Sequence, residues 1–258
     1  MVRRIVVLLA LGLLTAGCSH PLREDADDRL TPPKLGACRD LEAADLERPS
    51  NSTPTVACSK DHTAQTFLVG TLPATTGKGY RDEGHGRHVF ATCTDAFREF
   101  LGADESLAMR AWLSWAWFRP SERGWERGAR WFRCDLVGGP SGATELHRLP
   151  DDAKGLFTSD LPDEWLLCAR GETIPGSTKV RCSEDHEWRA VATIKVGQPD
   201  DPYPGDRIVQ VRSRDRCSDW VGAWSHYPVD YAFGYTWFHE AEWSTGNRRS
   251  VCWARTAQ

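Results

Sequence analysis

Eight of the nine cysteines in this 258-residue chain fall into two matching quartets, and no other feature constrains the fold as strongly. The first quartet is Cys38, Cys58, Cys93 and Cys134; the second is Cys168, Cys182, Cys217 and Cys252. Cys58 and Cys93 stand 35 positions apart, as do Cys182 and Cys217. The sequence around them also returns. Val56-Ala57-Cys58-Ser59-Lys60-Asp61-His62 reappears as Val180-Arg181-Cys182-Ser183-Glu184-Asp185-His186, and Trp125-x2-Gly128-x-Arg130-x3-Cys134 reappears as Trp243-x2-Gly246-x-Arg248-x3-Cys252. Two gapless matches in the same order read as a tandem duplication.

The ninth cysteine, Cys18, closes an N-terminal segment with the parts of an export signal: basic Arg3 and Arg4, an apolar run from Ile5 to Leu14, then small residues. The run is shorter than the roughly 20 residues needed to span a bilayer. Leu14-Thr15-Ala16-Gly17-Cys18 resembles the lipobox of bacterial lipoproteins, with Thr15 where that family usually carries an aliphatic residue. The resemblance implies lipidation at Cys18 and anchoring on the outer face of the cytoplasmic membrane. Residues 1–18 are thus expected to be a signal and 19–34, charged and ending in Pro32-Pro33, a tether.

About 220 residues remain, enough for two domains of roughly 100 residues; the expected division is 35–150 and 151–258. Domains of this size gain from covalent staples, which an oxidising compartment permits. The net charge of −4 becomes −6 once Arg3 and Arg4 leave, so the mature chain lacks the basic footprint of a nucleic-acid binder. Twelve tryptophans are read mainly as core filling, with a stacking platform for glycan or peptide as the functional alternative.

In the second copy Trp188, Ala190, Ala192, Ile194 and Val196 alternate, predicting a half-buried strand with all five on one face; Thr63 to Gly70 sits at the same offset in the first. Gly77 to Gly86 and Gly197 to Gly205 read as breaks. Helical spacing then places Phe90, Cys93, Phe97, Phe100 and Leu101 on one inward stripe, and Cys217, Trp220, Val221 and Trp224 on another. Trp112 to Phe118 with Gly128 to Leu136, and Tyr231 to Phe238 with Arg249 to Trp253, read as hairpins. Each copy is therefore expected to be a small α+β unit of strand, strand, helix and hairpin. Three pairings are open within each quartet, and sequence alone does not choose among them; the expectation adopted is first with second and third with fourth.

Gly36-Ala37-Cys38, Cys58-Ser59-Lys60-Asp61-His62, Cys93 in a Phe-rich helix and Trp125-x2-Gly128-x-Arg130-x3-Cys134 together resemble the septum-formation-related domain of actinobacterial envelope proteins. The resemblance covers roughly 35–136 and, more loosely, 162–254. It implies an association with the division septum or cell-wall machinery, and it carries no catalytic residues with it.

Asp61-His62 and Asp185-His186 are repeated pairs in which a carboxylate-oriented histidine would act as a base, but neighbours on a strand point to opposite faces and the scaffolding reading is preferred. Cys58-x3-His62 has a spacing zinc can use, yet an oxidising compartment argues against it. His239-Glu240-Ala241-Glu242-Trp243 lacks the second histidine of a metalloprotease helix. The expectation is a non-catalytic envelope lipoprotein with no cofactor or metal, contacting an envelope or division protein or a wall polymer and no nucleic acid. The alternatives are a hydrolase or transferase built on an Asp-His pair, and a tryptophan-based glycan-binding module.

Overall fold

The computed structural model describes residues 27–159 and 161–256. The export signal and the lipidation expected at Cys18 lie outside the described residues. The first half comprises β1 (Cys38–Arg39), β2 (Ala64–Thr71), α1 (Glu83–Leu101), α2 (Glu105–Ala108), β3 (Ser114–Phe118), α3 (Glu122–Glu126) and β4 (Trp131–Val137). The second comprises β5 (Leu167–Arg170), β6 (Thr178–Arg181), β7 (Trp188–Lys195), α4 (Asp206–Trp224), β8 (Phe233–Thr236), α5 (Glu240–Thr245) and β9 (Arg249–Arg255). The architecture is α+β, with antiparallel sheets in the orders β1-β2-β4-β3 and β6-β5-β7-β9-β8. Apart from the added edge strand β6, the two sheets have the same order.

Each half lays a 19-residue helix across one face of its sheet. Bridges Cys93–Cys134 and Cys217–Cys252 pin helix to sheet, while Cys38–Cys58 and Cys168–Cys182 close the entry to each half. In the chain-entropy account the loops of 41 and 35 residues contribute about 4 kcal/mol each and the loops of 20 and 14 about 3.

Four local expectations are corrected. The buried stripe of α1 is His85, Val89, Cys93, Phe97 and Leu101, with Phe90 and Phe100 only partly covered. In α4 the stripe is Val209, Ser213, Cys217 and Val221, and Trp220 and Trp224 lie outside it, 56% and 47% exposed. The closing pairs are not simple hairpins: one-turn helices α3 and α5 connect their strands. Finally, the alternating run in β7 does not share one face. A bulge between Ala190 and Ala192 shifts the register, as one does between Thr66 and Leu68 in β2. An inserted residue reverses the alternation, so Trp188 and Ala190 join the cluster on the face away from α4 while Ile194 and Val196 pack beneath it.

The first half extends beyond both expected limits. Asp27, within the stretch read as tether, is buried and receives the Ser121 amide on its carbonyl at 2.9 Å; Trp131 Nε1 donates to the Arg29 carbonyl, also at 2.9 Å. At the other end Leu149, Ala153, Phe157 and Trp165 belong to the same hydrophobic cluster as Phe97, Leu101 and Leu136.

The halves pack together. Trp165, just ahead of β5, enters the first core, while Trp112, from the first half, enters the cluster of Leu167, Trp188 and Trp253. Between them run the Trp112 N–H to Trp165 carbonyl bond at 2.7 Å and the Leu167 N–H to Arg110 carbonyl bond at 2.9 Å. Glu105 pairs with Arg249 at 2.6 Å beside them. That carboxyl is held below its usual range chiefly by the Arg249 hydrogen bond.

Candidate functional site

The repeated motifs form matched structural devices. Arg130 lies over the Trp125 ring at 3.7 Å and donates to the carbonyls of Trp125 and Ala129, each at 2.7 Å. Arg248 lies over Trp243 at 3.7 Å and donates to the carbonyls of Trp243 and Asn247 at 2.6 and 2.9 Å. A guanidinium satisfying the last carbonyls of a one-turn helix while stacking on its buried indole fixes the turn into the closing strand. Gly128 and Gly246 supply the positive φ, 100° and 116°, that this turn requires.

Among the described residues Asp61 and His62 bond to separate partners, and Asp185 and His186 likewise contact separate groups. His62 is buried, and its Nδ1 faces the Lys60 carbonyl at 2.8 Å, which makes it the donor; Asp61 turns outward to Arg148. His186 Nδ1 faces the Glu184 carbonyl at 2.7 Å in the same way, and Asp185 accepts from Arg170 on its backbone carbonyl. Both histidines brace the turn after a bridged cysteine. Cys58, the candidate zinc partner of His62, is committed to Cys38. His239 starts α5 instead: its own N–H donates to Glu242 Oε2 at 2.8 Å, closing a capping box.

The tryptophans divide by environment. Trp112, Trp125, Trp131, Trp165, Trp188, Trp243 and Trp253 are buried, while Trp115, Trp117 and Trp237 pack at core margins. Trp220 and Trp224 instead face solvent, as do Tyr227, 66% exposed, and Val229, fully exposed, in the loop that follows α4. At this end of the helix a groove of about 350 Å³, with Trp224 on its edge, opens between α4 and the ends of β8 and β9. Val221, Trp224, Pro228, Tyr231 and Ala254 form its apolar walls, and Asp230, Arg255 and Thr256 lie on its polar side. The volume is at the lower end of ligand clefts, roughly 300–1,000 Å³, and suits an anchoring side chain more than a long polymer.

The backbone of that loop is unusual. His226 and Tyr227 are the non-glycine residues with positive φ among those described, at 60° and 49°. Their conformation turns the chain so that the Tyr227 N–H closes on the Gly222 carbonyl at 2.7 Å, and the Tyr227 ring covers Gly222, where an added Cβ would lie 2.9 Å from it. Left-handed positions cost non-glycine residues of order 1–3 kcal/mol and concentrate at functional surfaces. Burial expectations drawn from helical spacing missed this site; the run Trp220, Trp224, Tyr227 was its only signal in the sequence.

No helix among the described residues is long and apolar enough to cross a membrane. Four disulfides indicate a protein that resides outside the cytoplasm. No curated protein and no solved structure matches the chain. One continuous span, residues 107–252, from within α2 through the seam to the last bridged cysteine, matches the family described as septum formation. That span exceeds half of the chain, and the chain therefore belongs to the septum-formation family.

Proposed function

We propose that this protein is a non-catalytic lipoprotein of the cell envelope, made of two tandem copies of one bridged α+β unit, that acts by protein contact during septum formation. The observation that carries the contact reading is the groove at the end of α4, lined by Trp224 and Tyr231, with exposed Trp220 and Tyr227 on the same helix end and following loop, because Trp and Tyr are the usual anchors of a protein interface. Support for a non-catalytic role comes from the Asp-His pairs, whose members bind separate partners. Support for duplication comes from the shared strand order, the matched bulges and the paired Arg-Trp clamps. A glycan-binding reading draws on the same exposed indoles, though the groove is short for a polymer.

The test is an export-compatible fluorescent fusion at native level in dividing cells of the source organism. Enrichment at the septum is expected; a signal spread evenly over the envelope would contradict the septal role.

A further inference from the structure

The groove at the end of α4 has a filled counterpart in the first half. Counting from the bridged cysteines of the helices, Phe97 corresponds to Val221, Phe100 to Trp224 and Leu101 to Ser225; counting from those of the closing strands, Leu136 corresponds to Ala254. In the first half this place is taken by the chain's own residues 149–158. The Gly155 N–H donates to the Phe100 carbonyl at 2.7 Å and the Phe157 N–H to the Leu101 carbonyl at 2.9 Å, while Leu149, Ala153 and Phe157 enter the core. The segment is a turn, with the Leu156 N–H on the Ala153 carbonyl at 3.3 Å, the Thr158 N–H on the Gly155 carbonyl at 3.0 Å and Gly155 at a φ of 72°; it seats on the end of α1 through two amides and turns Phe157 inward.

Nothing among the described residues does this in the second half. The carbonyls of Trp224 and Ser225 accept no hydrogen bond from them. The walls are also cut back, with Val221 and Ala254 where the first half has Phe97 and Leu136. The helix caps agree: Gly102, which caps α1 at a φ of 70°, lies so close under the segment that an added Cβ would come 2.3 Å from Thr158 Cγ2, whereas its counterpart His226 stands exposed with no described segment over it.

We propose that the groove at the end of α4 receives an apolar turn segment of a partner protein, seated as residues 149–158 are seated on α1. Backbone N–H groups of the partner donate to the Trp224 and Ser225 carbonyls, and a large apolar side chain enters beside Val221 and Ala254, with Trp224, Pro228 and Tyr231 closing around it. This rests on the protein-contact reading above and names the chemistry of the contact.

The probe is a fluorescein-labelled peptide copying residues 149–159, titrated by anisotropy against the mature, fully bridged protein. Saturable binding is expected, weakened at least about ten-fold by Trp224→Ala and by Ala232→Arg, the second placing charge at an exposed rim position without touching the core. The same peptide carrying Phe157→Asp is expected not to bind. Absence of saturable binding up to millimolar peptide would overturn the proposal, as would binding that both variants leave unchanged. Displacement of the peptide by peptide-free glycan strands would also overturn it, assigning the groove to sugar. Groove-dependent dimerisation in sedimentation with an inert peptide would assign it to a second copy. Septal enrichment without peptide binding removes this inference alone; peptide binding without septal enrichment removes only the septal reading.

Discussion

The two sheets share a topology but cover their outer faces by opposite means. In the first half Arg133 and Asp135 of β4, both fully buried, pair at 2.8 Å, and Thr66 Oγ1 donates to Asp135 at 2.7 Å. Arg39 donates to Thr66 at 2.8 Å, and Arg133 reaches the Asn51 side chain at 3.0 Å. Asp27 closes the group 3.9 Å from Arg133. The matching positions of the second half are Ala169, Ala190, Val251 and Trp253, an apolar cluster. One bulged, bridged sheet therefore accepts either a charge network or a packed indole on the same face, provided that whatever lies over it is complementary. Here the complement is residues 27–29 with Ser50 and Asn51 in one half, and Ile174 and Trp112 in the other.

Charge burial is the more brittle solution. Burial, then the neighbouring Arg133, pushes the Arg39 guanidinium down to about 10, and its Nε has no hydrogen-bond partner. Removing one member of such a network leaves uncompensated charge, which typically costs about 3–5 kcal/mol. Asp135→Asn, which keeps the shape, is therefore expected to lose that much in urea unfolding. Its counterpart Trp253→Phe, an apolar trim, is expected to lose roughly 1–3 kcal/mol. Equal losses would mean that the two faces are not held by different forces.

The helix caps give a finer contrast. Gly102→Ala is expected to cost about 1–3 kcal/mol, since it strains a φ of 70° and drives a methyl into Thr158. His226→Gly is expected to be neutral or stabilising by up to about 1 kcal/mol, because relief of left-handed strain roughly offsets the added backbone freedom. Thermal melts of the two variants read the difference directly. A destabilising His226→Gly would show that the side chain, not an open groove, explains the residue there.

The smallest effect concerns the seam. The Glu105 carboxyl is depressed by Arg249, so its contribution is present above the usual carboxylate range and is lost as pH falls through that range toward its lowered value. Glu105→Gln is expected to reduce the loss of melting temperature between pH 7 and pH 3 by a degree or two, roughly the range of a partly exposed pair. An unchanged pH profile would remove the ion pair from the account of how the halves stay together.

Much of the scaffold was legible because covalent and local signals agree. The bridges join the cysteines as adopted within each quartet, and the helices around Cys93 and Cys217 and the strands before them follow from periodicity. The errors have physical causes. A stripe stepping by four residues advances about 40° around the helix each time, so Trp220 and Trp224, though spaced like a face with Cys217, lie on the flank of α4. A bulge leaves no mark in the alternation of β7, yet it divides Trp188 and Ala190 from Ile194 and Val196. Arg133 and Asp135 alternate with apolar residues in β4, and their burial leaves no local mark, because Asn51, 82 positions away, and the still more distant Asp27 lie over them. The seam and the seating of residues 149–158 are long-range packing, which periodicity does not report.

The central claim is that an open aromatic groove in the second half makes the contact that the first half satisfies internally. Septal localisation of a fusion carrying Trp224→Ala and Ala232→Arg tests it most directly, with the accumulated level of folded protein measured alongside. Loss of septal enrichment at an unchanged protein level is predicted. Undiminished enrichment would contradict the claim and place the contact elsewhere on the molecule.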